Sequence, residues 1–107
     1  MSDAFGDYLR SIGRIPLLTA QEEVHLGLIV KEWMETPQPS TSLERRGRRA
    51  LRRIVTANLR LVVTVALRYL RRIKHLAHDP MDLVQAGNLG LLRAAEKYDP
   101  TRGYKFS

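Results

Sequence analysis

The stretch Ala57-Asn58-Leu59-Arg60-Leu61-Val62-Val63-Thr64-Val65-Ala66 lies near the middle of the longest periodic segment in this 107-residue chain. Apolar residues recur at helical spacing on both sides of it, although the β-branched residues within it also suit a strand. No hairpin turn or pairing partner for a strand is visible nearby. The segment therefore predicts one long helix from about Glu44 to Leu76, which would form the spine of an all-α fold.

The long segment separates apolar from basic residues with the period of a helix. Its predicted apolar face consists of Leu51, Ile54, Val55, Val62, Val65, Ala66, Tyr69 and Ile73. Its predicted basic face consists of Arg49, Arg52, Arg53, Arg60, Arg71 and Lys74. Asn58 lies inside the apolar face, where an unpaired amide would cost roughly 1 to 3 kcal/mol. Its expected partner is either a neighbouring backbone group or a ligand such as a nucleic-acid base.

Two shorter helices are predicted before the spine. The first begins behind a capping Asp3 and stops at Gly13, and its apolar positions follow helical spacing at Phe5, Tyr8, Leu9 and Ile12. The second begins with a capping box of Thr19 and Glu22 and runs to about Glu35. Together with the spine, these elements predict a helical bundle.

The spine and the last helix have start signals of their own. Two prolines make residues 36–40 a linker, and Thr41 with Glu44 predicts a second capping box behind it. Asp79 and Pro80 predict the start of a C-terminal helix that ends near Tyr98, because proline at the first helical position loses no hydrogen bond. Residues 99–103 then read as a turn.

Composition limits the functions that this chain can have. Residues 1–44 hold three basic and seven acidic residues, residues 45–74 hold eleven basic and no acidic ones, and residues 75–107 hold four of each. The basic block suits either a polyanion partner or a plain solvated helix face. The absence of Cys excludes disulfides and thiolate metal sites, and no apolar run is long enough to span a membrane. A cytoplasmic protein is the simplest interpretation.

The last helix has two faces that need an explanation. Its predicted buried face consists of Leu83, Val84, Gly87, Leu91, Ala94, Ala95 and Tyr98. Its second face consists of Met81, Gln85, Asn88 and Leu92, with Asp82 at the edge. Amides beside exposed apolar anchors suit a protein-binding patch, although scattered surface residues would give the same pattern.

Enzymatic chemistry finds no support in the sequence. His75, His78, Asp79 and Asp82 could suggest a metal ion, but they straddle a predicted helix break and no further ligand joins them. The sequence contains no nucleophile next to a base, no carboxylate pair and no glycine-rich phosphate loop. We therefore expect neither a catalytic residue nor a metal or cofactor.

Three segments together resemble the signature of a bacterial housekeeping-type sigma factor of the sigma-seventy family. They are Ala57-Asn58-Leu59-Arg60-Leu61-Val62-Val63, the run from Asp82 to Leu92, and Asp99-Pro100-Thr101-Arg102-Gly103-Tyr104-Lys105-Phe106-Ser107. The segment 13–20 resembles the part that precedes the central domain of that family. The arrangement is similar to the alternative, primary-like members common in cyanobacteria. The resemblance implies sigma region 1.2 over 1–35, a linker over 36–43 and the first part of region 2 over 44–107.

The resemblance also implies partners and site residues. Asp82, Gln85, Asn88 and Leu92 match positions that bind the clamp helices of the β′ subunit of core RNA polymerase. Leu17, Asn58 and Leu61 match positions around the flipped last base of the promoter −10 element on the non-template strand. Tyr8, Leu9 and Arg10 match positions near the discriminator strand. An anti-sigma protein is a further possible partner, and no membrane is expected.

This sequence departs from the family pattern at three places, which leave alternative functions open. Ala86 stands where the family usually has Glu, the connection from Arg72 to Pro80 is longer than usual, and the chain stops at Ser107 before the aromatic promoter-melting helix. The resemblance therefore covers the N-terminal part of such a factor, and exposed apolar surface would favour self-association. A truncated sigma-like decoy and a stand-alone helical DNA-binding domain remain the alternatives to a sigma-factor fragment.

Overall fold

The computed structural model of this chain describes residues 3–72, 79–103 and 105–106. These ranges form five α-helices and a short 3-10 helix, and they contain no strand, which confirms the all-α prediction. The elements in chain order are α1 (Ala4–Gly13), α2 (Ala20–Glu35), α3 (Thr41–Ala57), α4 (Leu59–Arg72), α5 (Pro80–Lys97) and the 3-10 helix (Pro100–Arg102). The predicted helix end at Leu76, together with Ile73, Lys74, His75 and His78, lies outside the described residues.

Side-chain caps start most of these helices where the sequence predicts them. The Asp3 carboxylate accepts a hydrogen bond from the backbone N–H of Gly6 at 3.0 Å, at the start of α1. In the capping box of α2, the Thr19 hydroxyl accepts from the Glu22 N–H at 3.1 Å and the Glu22 carboxylate accepts from the Thr19 N–H at 2.9 Å. Asp79 caps α5 in the same way. These bonds satisfy N–H groups that have no partner within the helix.

The start of α3 differs from prediction, whereas the end of α1 does not. The cap of α3 is Ser40, whose hydroxyl accepts from the Leu43 N–H at 3.1 Å, so the predicted capping box of Thr41 and Glu44 is wrong. Adjacent Ser and Thr are both good caps, and the Glu44 carboxylate accepts instead from the Arg48 guanidinium at 2.7 Å. The predicted end of α1 at Gly13 is confirmed, and Arg14 follows it with right-handed backbone angles.

The predicted single spine is two helices, which meet at Asn58. The backbone of Asn58 leaves the helical range at φ −111° and ψ 9°. Its side-chain amide donates to the Ile54 carbonyl at 2.7 Å, the acceptor that its own N–H would use in a continuous helix. That N–H turns instead to the Val55 carbonyl at 3.0 Å. A side chain that competes with the backbone ladder in this way breaks a helix.

The break changes which residues of α4 are buried. A tighter turn advances each residue by about 120° instead of about 100°, so the apolar face of α4 no longer continues that of α3. Val63 and Ala66 are buried, whereas Val65 and Tyr69, both predicted on the apolar face, are 55% and 52% exposed. On α5, Gly87 and Ala94 are likewise exposed, although they were predicted on the buried face.

Two apolar clusters hold the helices together, and α5 contributes to both. The first consists of Ile12, Val63, Ala66 and Val84, from α1, α4 and α5. The second consists of Val30, Ala50, Ile54 and Ala95, from α2, α3 and α5. Because Val84 and Ala95 are three helical turns apart on the same side of α5, this helix joins the two halves of the bundle and turns its other side outward.

Candidate functional site

A pocket of about 210 Å³ lies beside the break between α3 and α4. It is lined by Leu17, Leu18, Glu23, Ala57, Asn58, Arg60 and Leu61. The structure therefore brings Leu17 next to Asn58 and Leu61, although Leu17 lies far from both of them in sequence. Leu17 and Leu61 are 62% and 47% exposed, while Asn58 is only 7% exposed at the pocket floor. The pocket thus combines apolar walls with one amide.

Two arginines hold the loop that carries Leu17. The Arg60 guanidinium donates to the carbonyls of Gly13 at 2.9 Å and Ile15 at 2.8 Å. The Arg53 guanidinium donates to the carbonyl of Pro16 at 3.1 Å. Both arginines belong to the predicted basic face, and their guanidinium groups bind the loop between α1 and α2. They position Leu17 above Asn58.

Glu23 is a pocket residue that the sequence analysis missed. It is 5% exposed, and its carboxylate accepts a hydrogen bond from the backbone N–H of Phe106 at 2.6 Å. Its position contains a signal that could have been used, because Glu23, Gly27 and Val30 have the spacing of one buried helix face. A carboxylate at such a position needs a partner or a function.

The outward side of α5 carries the four predicted contact residues. Asp82 and Gln85 are exposed, whereas Asn88 and Leu92 are half-buried. The Asn88 amide nitrogen donates to the Tyr8 hydroxyl at 3.2 Å, and the Asn88 oxygen is buried without a partner among the described residues. The four side chains therefore share one face, although α1 already uses part of Asn88.

The three predicted residues of α1 lie apart from the Asn58 pocket. Tyr8 and Leu9 pack partly buried against the first apolar cluster. Arg10 is exposed and forms an ion pair with Asp7 one turn earlier. The structure thus places Tyr8 against α5 and leaves Arg10 on the surface.

The titratable groups with shifted pKa values belong to helix ends. Hydrogen bonds from Thr19 lower the pKa of Glu22 at the start of α2. A hydrogen bond to Glu35 raises the pKa of Lys31 near the end of the same helix. Hydrogen bonds from Thr101 lower the pKa of Asp99, the cap of the 3-10 helix. These shifts have structural causes, and none of these groups lines the Asn58 pocket.

The comparisons with known proteins decide the family. Residues 3–35 match Sigma-70 factor, region 1.2, and residues 54–107 match Sigma-70 region 2. The chain belongs to the sigma-70 family. Matched region 1.2 comprises α1 and α2, and matched region 2 begins at Ile54 in the last turn of α3. Both regions contribute to the pocket beside Asn58.

Several sigma factors are similar to nearly the whole chain. RNA polymerase sigma factor SigA4 of Synechococcus elongatus is 48% identical over 114 residues, covering 99% of this chain and 35% of the relative. RNA polymerase principal sigma factor HrdC of Streptomyces coelicolor is 42% identical, covering 98% of this chain and 35% of the relative. SigA2 of Synechococcus elongatus is 39% identical, covering 94% and 38%. The chain therefore spans about a third of the length of these relatives.

Hydrogen bonds join the two sigma regions in addition to the two apolar clusters. The Asn88–Tyr8 hydrogen bond joins region 2 to α1 of region 1.2, and the Phe106–Glu23 bond joins it to α2. Arg60 adds its bonds to the loop between α1 and α2.

Within the described ranges, no three His, Cys, Asp or Glu side chains are placed to hold a metal ion. No helix in those ranges has the length and hydropathy to cross a membrane.

Proposed function

We propose that this chain binds core RNA polymerase through α5 and a base of promoter DNA through the pocket beside Asn58. The observation that carries the proposal is the meeting of Leu17, Asn58 and Leu61 at one pocket between the two sigma regions. Family membership supports the class of function, since the relatives SigA4 and HrdC are named as RNA polymerase sigma factors. The chain acts in transcription initiation and carries out no catalysis.

The pocket has the chemistry that a flipped base requires. Leu17 and Leu61 offer apolar surface to the faces of the base, and exposed walls leave the pocket open to a single strand. Asn58 uses the donor end of its amide for the Ile54 carbonyl, so the acceptor end can serve a base edge. Glu23 adds a carboxylate acceptor. The ligand is the last base of the −10 element, on the non-template strand.

The remaining predicted residues extend this function in two directions. Arg10 is exposed on α1, where its charge can approach the backbone of the discriminator strand, with Tyr8 and Leu9 beside it. Asp82 and Gln85 present polar groups on α5 to the clamp helices of the β′ subunit. The exposure of Arg10, Asp82 and Gln85 supports these roles. Ala86 leaves the surface of α5 without the carboxylate that the family usually has there.

A base-deletion experiment tests the pocket. A labelled single-stranded oligonucleotide that contains the −10 element is titrated with the chain bound to core polymerase. A second oligonucleotide, which has an abasic site at the last position of the element, is titrated in the same way. Asn58→Ala or Leu61→Ala should weaken binding of the intact strand about 5-fold, which is the loss of about 1 kcal/mol. Neither variant should change binding of the abasic strand.

Leu28→Ala is the matched control, because Leu28 is a leucine of similar exposure, at 44%, on α2 and outside the lining of the pocket. It should leave both affinities unchanged. Equal losses for the intact and the abasic strand in the pocket variants would mean that these residues do not contact the base. The proposal would then fail at the pocket.

A further inference from the structure

We propose that the polymerase-binding face of α5 continues into a second pocket on α3, which receives an apolar side chain and a carboxylate from the clamp helices of the same polymerase subunit. This inference rests on the proposed function, because it extends the surface assigned to β′. We call this second pocket the Trp33 pocket. It is lined by Trp33, Arg48, Leu51, Arg52, Val55, Thr56 and Leu92.

Leu92 makes the two surfaces continuous. It shares the outward side of α5 with Gln85 and also lines the Trp33 pocket. Asp82 and Leu92 are ten residues apart, or about 15 Å along the helix axis. A partner helix that lies along this face therefore reaches the Trp33 pocket within about one further turn. The pocket has a volume of about 310 Å³, enough for a side chain to enter.

The wall formed by Trp33 is fixed by its neighbours. The ring lies so close to α3 that a Cβ added at Gly47 would come within 2.5 Å of it, and Gly47 is itself buried. On the next residue, the Arg48 guanidinium lies 5.5 Å from the ring centroid, within the range of a cation–π contact. A half-buried tryptophan that is already held in place loses little side-chain entropy on binding. Such residues are common anchors of protein interfaces.

The charge of the rim selects the occupant. Arg48 and Arg52 stand one helical turn apart at the pocket, and residues 45–72 contain no acidic residue. The Arg48–Glu44 ion pair is exposed, so it offsets the positive charge weakly. A carboxylate from the partner is therefore favoured and a cation is disfavoured. The concave lining of Leu51, Val55 and Leu92 favours a protein side chain over a DNA phosphate, which needs no apolar contact.

Charge reversal tests the inference with the full chain and a fragment of β′ that contains the clamp helices. Arg52→Glu should raise the dissociation constant, measured by calorimetric titration, at least 10-fold. Arg46→Glu is the matched control, because Arg46 is an exposed arginine on the same helix, about 120° away from Arg52 at 3.6 residues per turn. The control makes the same change in net charge and should alter the affinity less than 2-fold.

The outcomes separate this inference from the proposed function. If Gln85→Ala weakens binding while Arg52→Glu does not, the polymerase surface ends at α5 and the Trp33 pocket is no part of it. If both arginine variants weaken binding equally, the effect is one of net charge and the inference is overturned. If neither Gln85→Ala nor Arg52→Glu has an effect, the proposed function fails as well. A positive result is strengthened if replacing one acidic residue of the β′ fragment by Lys restores binding to Arg52→Glu.

Discussion

Among single residues, Asn88 uses only the nitrogen of its amide within the described part of the chain. Its nitrogen donates to the Tyr8 hydroxyl at 3.2 Å, while its buried oxygen has no partner among the described residues. Gln85, one turn earlier on the same side of α5, is exposed. The two amides therefore have different roles. Asn88 holds α1 against α5, whereas Gln85 faces outward.

Substitution of these two amides should separate stability from binding. Asn88→Ala should lower the free energy of unfolding by about 1 to 2 kcal/mol, since it removes a partly buried hydrogen bond. Gln85→Ala should leave the free energy of unfolding unchanged and weaken β′ binding by about 1 kcal/mol. Denaturant melts and titration with the clamp-helix fragment measure the two effects. Equal stability of both variants would contradict a structural role for Asn88.

The Tyr8 hydroxyl gives the complementary prediction at this scale. Tyr8→Phe keeps the ring packed against the first apolar cluster but removes the acceptor of the Asn88 bond. The free energy of unfolding should fall by about 0.5 to 1.5 kcal/mol. Tyr69→Phe is the control, because the Tyr69 side chain is 52% exposed and its hydroxyl can bond to water. A loss of the same size in the control would remove the argument for a specific bond.

Among the elements, the division of the predicted spine shows what a sequence pattern can and cannot specify. Capping residues such as Thr19 and Asp79 predicted the starts of α2 and α5 because a cap acts within one turn. Asn58 was recognised as anomalous, and its partner proved to be the nearby Ile54 carbonyl. Apolar spacing averaged over two helices could not detect the one tight turn that this bond produces. Val65 was consequently assigned to the wrong face.

In the candidate site too, some residues could be predicted from the sequence and others could not. The apolar pattern singled out Asn58, and the resemblance to the family added Leu17 and Leu61. The sequence could not show that Arg60 reaches back to the carbonyls of Gly13 and Ile15, since such a contact depends on how the loop folds over α4. Glu23 was missed although its spacing with Gly27 and Val30 indicates one buried helix face. Long-range contacts made by polar side chains leave little trace in periodicity.

The capping box of α2 predicts a dependence of stability on pH. Hydrogen bonds from Thr19 lower the pKa of Glu22 below its ordinary value of 4.5. A carboxylate with a lowered folded-state pKa contributes stability that is present above the unfolded-state pKa and is lost as the pH falls through the folded-state pKa. Between pH 6 and pH 3, Glu22→Gln should therefore lose less stability than the unsubstituted chain. The measurement is a series of denaturant melts.

Glu32→Gln provides the control for this prediction, because Glu32 is an exposed carboxylate of the same helix outside the capping box. It should keep the pH dependence of the unsubstituted chain. If both variants reduce the acid sensitivity equally, the effect comes from net charge and not from the cap.

For the whole molecule, the basic segment predicts DNA binding that depends on salt. Residues 45–72 contain ten arginines. Arg53 and Arg60 hold the loop between α1 and α2, and Arg48 pairs with Glu44, which leaves seven for phosphates. Each duplex phosphate that an arginine neutralises adds about 0.9 to the slope of log affinity against log salt. Arg71→Gln should lower that slope by up to this amount. A flat salt dependence would contradict counterion release.

The exposed apolar surface between α4 and α5 makes a separate prediction for the whole molecule. A groove of about 420 Å³ is lined by Leu61, Val62, Val65, Ala66, Tyr69, Leu83, Gly87, Gly90, Leu91 and Ala94. An apolar groove of this kind favours contact with another apolar surface, so the 107-residue chain should self-associate as its concentration rises. Val65→Lys should reduce this association in sedimentation experiments, because it places a charge in the groove.

Thr64→Lys is the control for that experiment, because Thr64 is the exposed neighbour of Val65 and does not line the groove. The two variants carry the same added charge, so general repulsion between chains would reduce association equally in both. A reduction confined to Val65→Lys would show that the groove is the contact, since only that lysine would have to be desolvated there. A chain that stays monomeric at all concentrations would show instead that the groove is too narrow or too well hydrated for a second copy to enter.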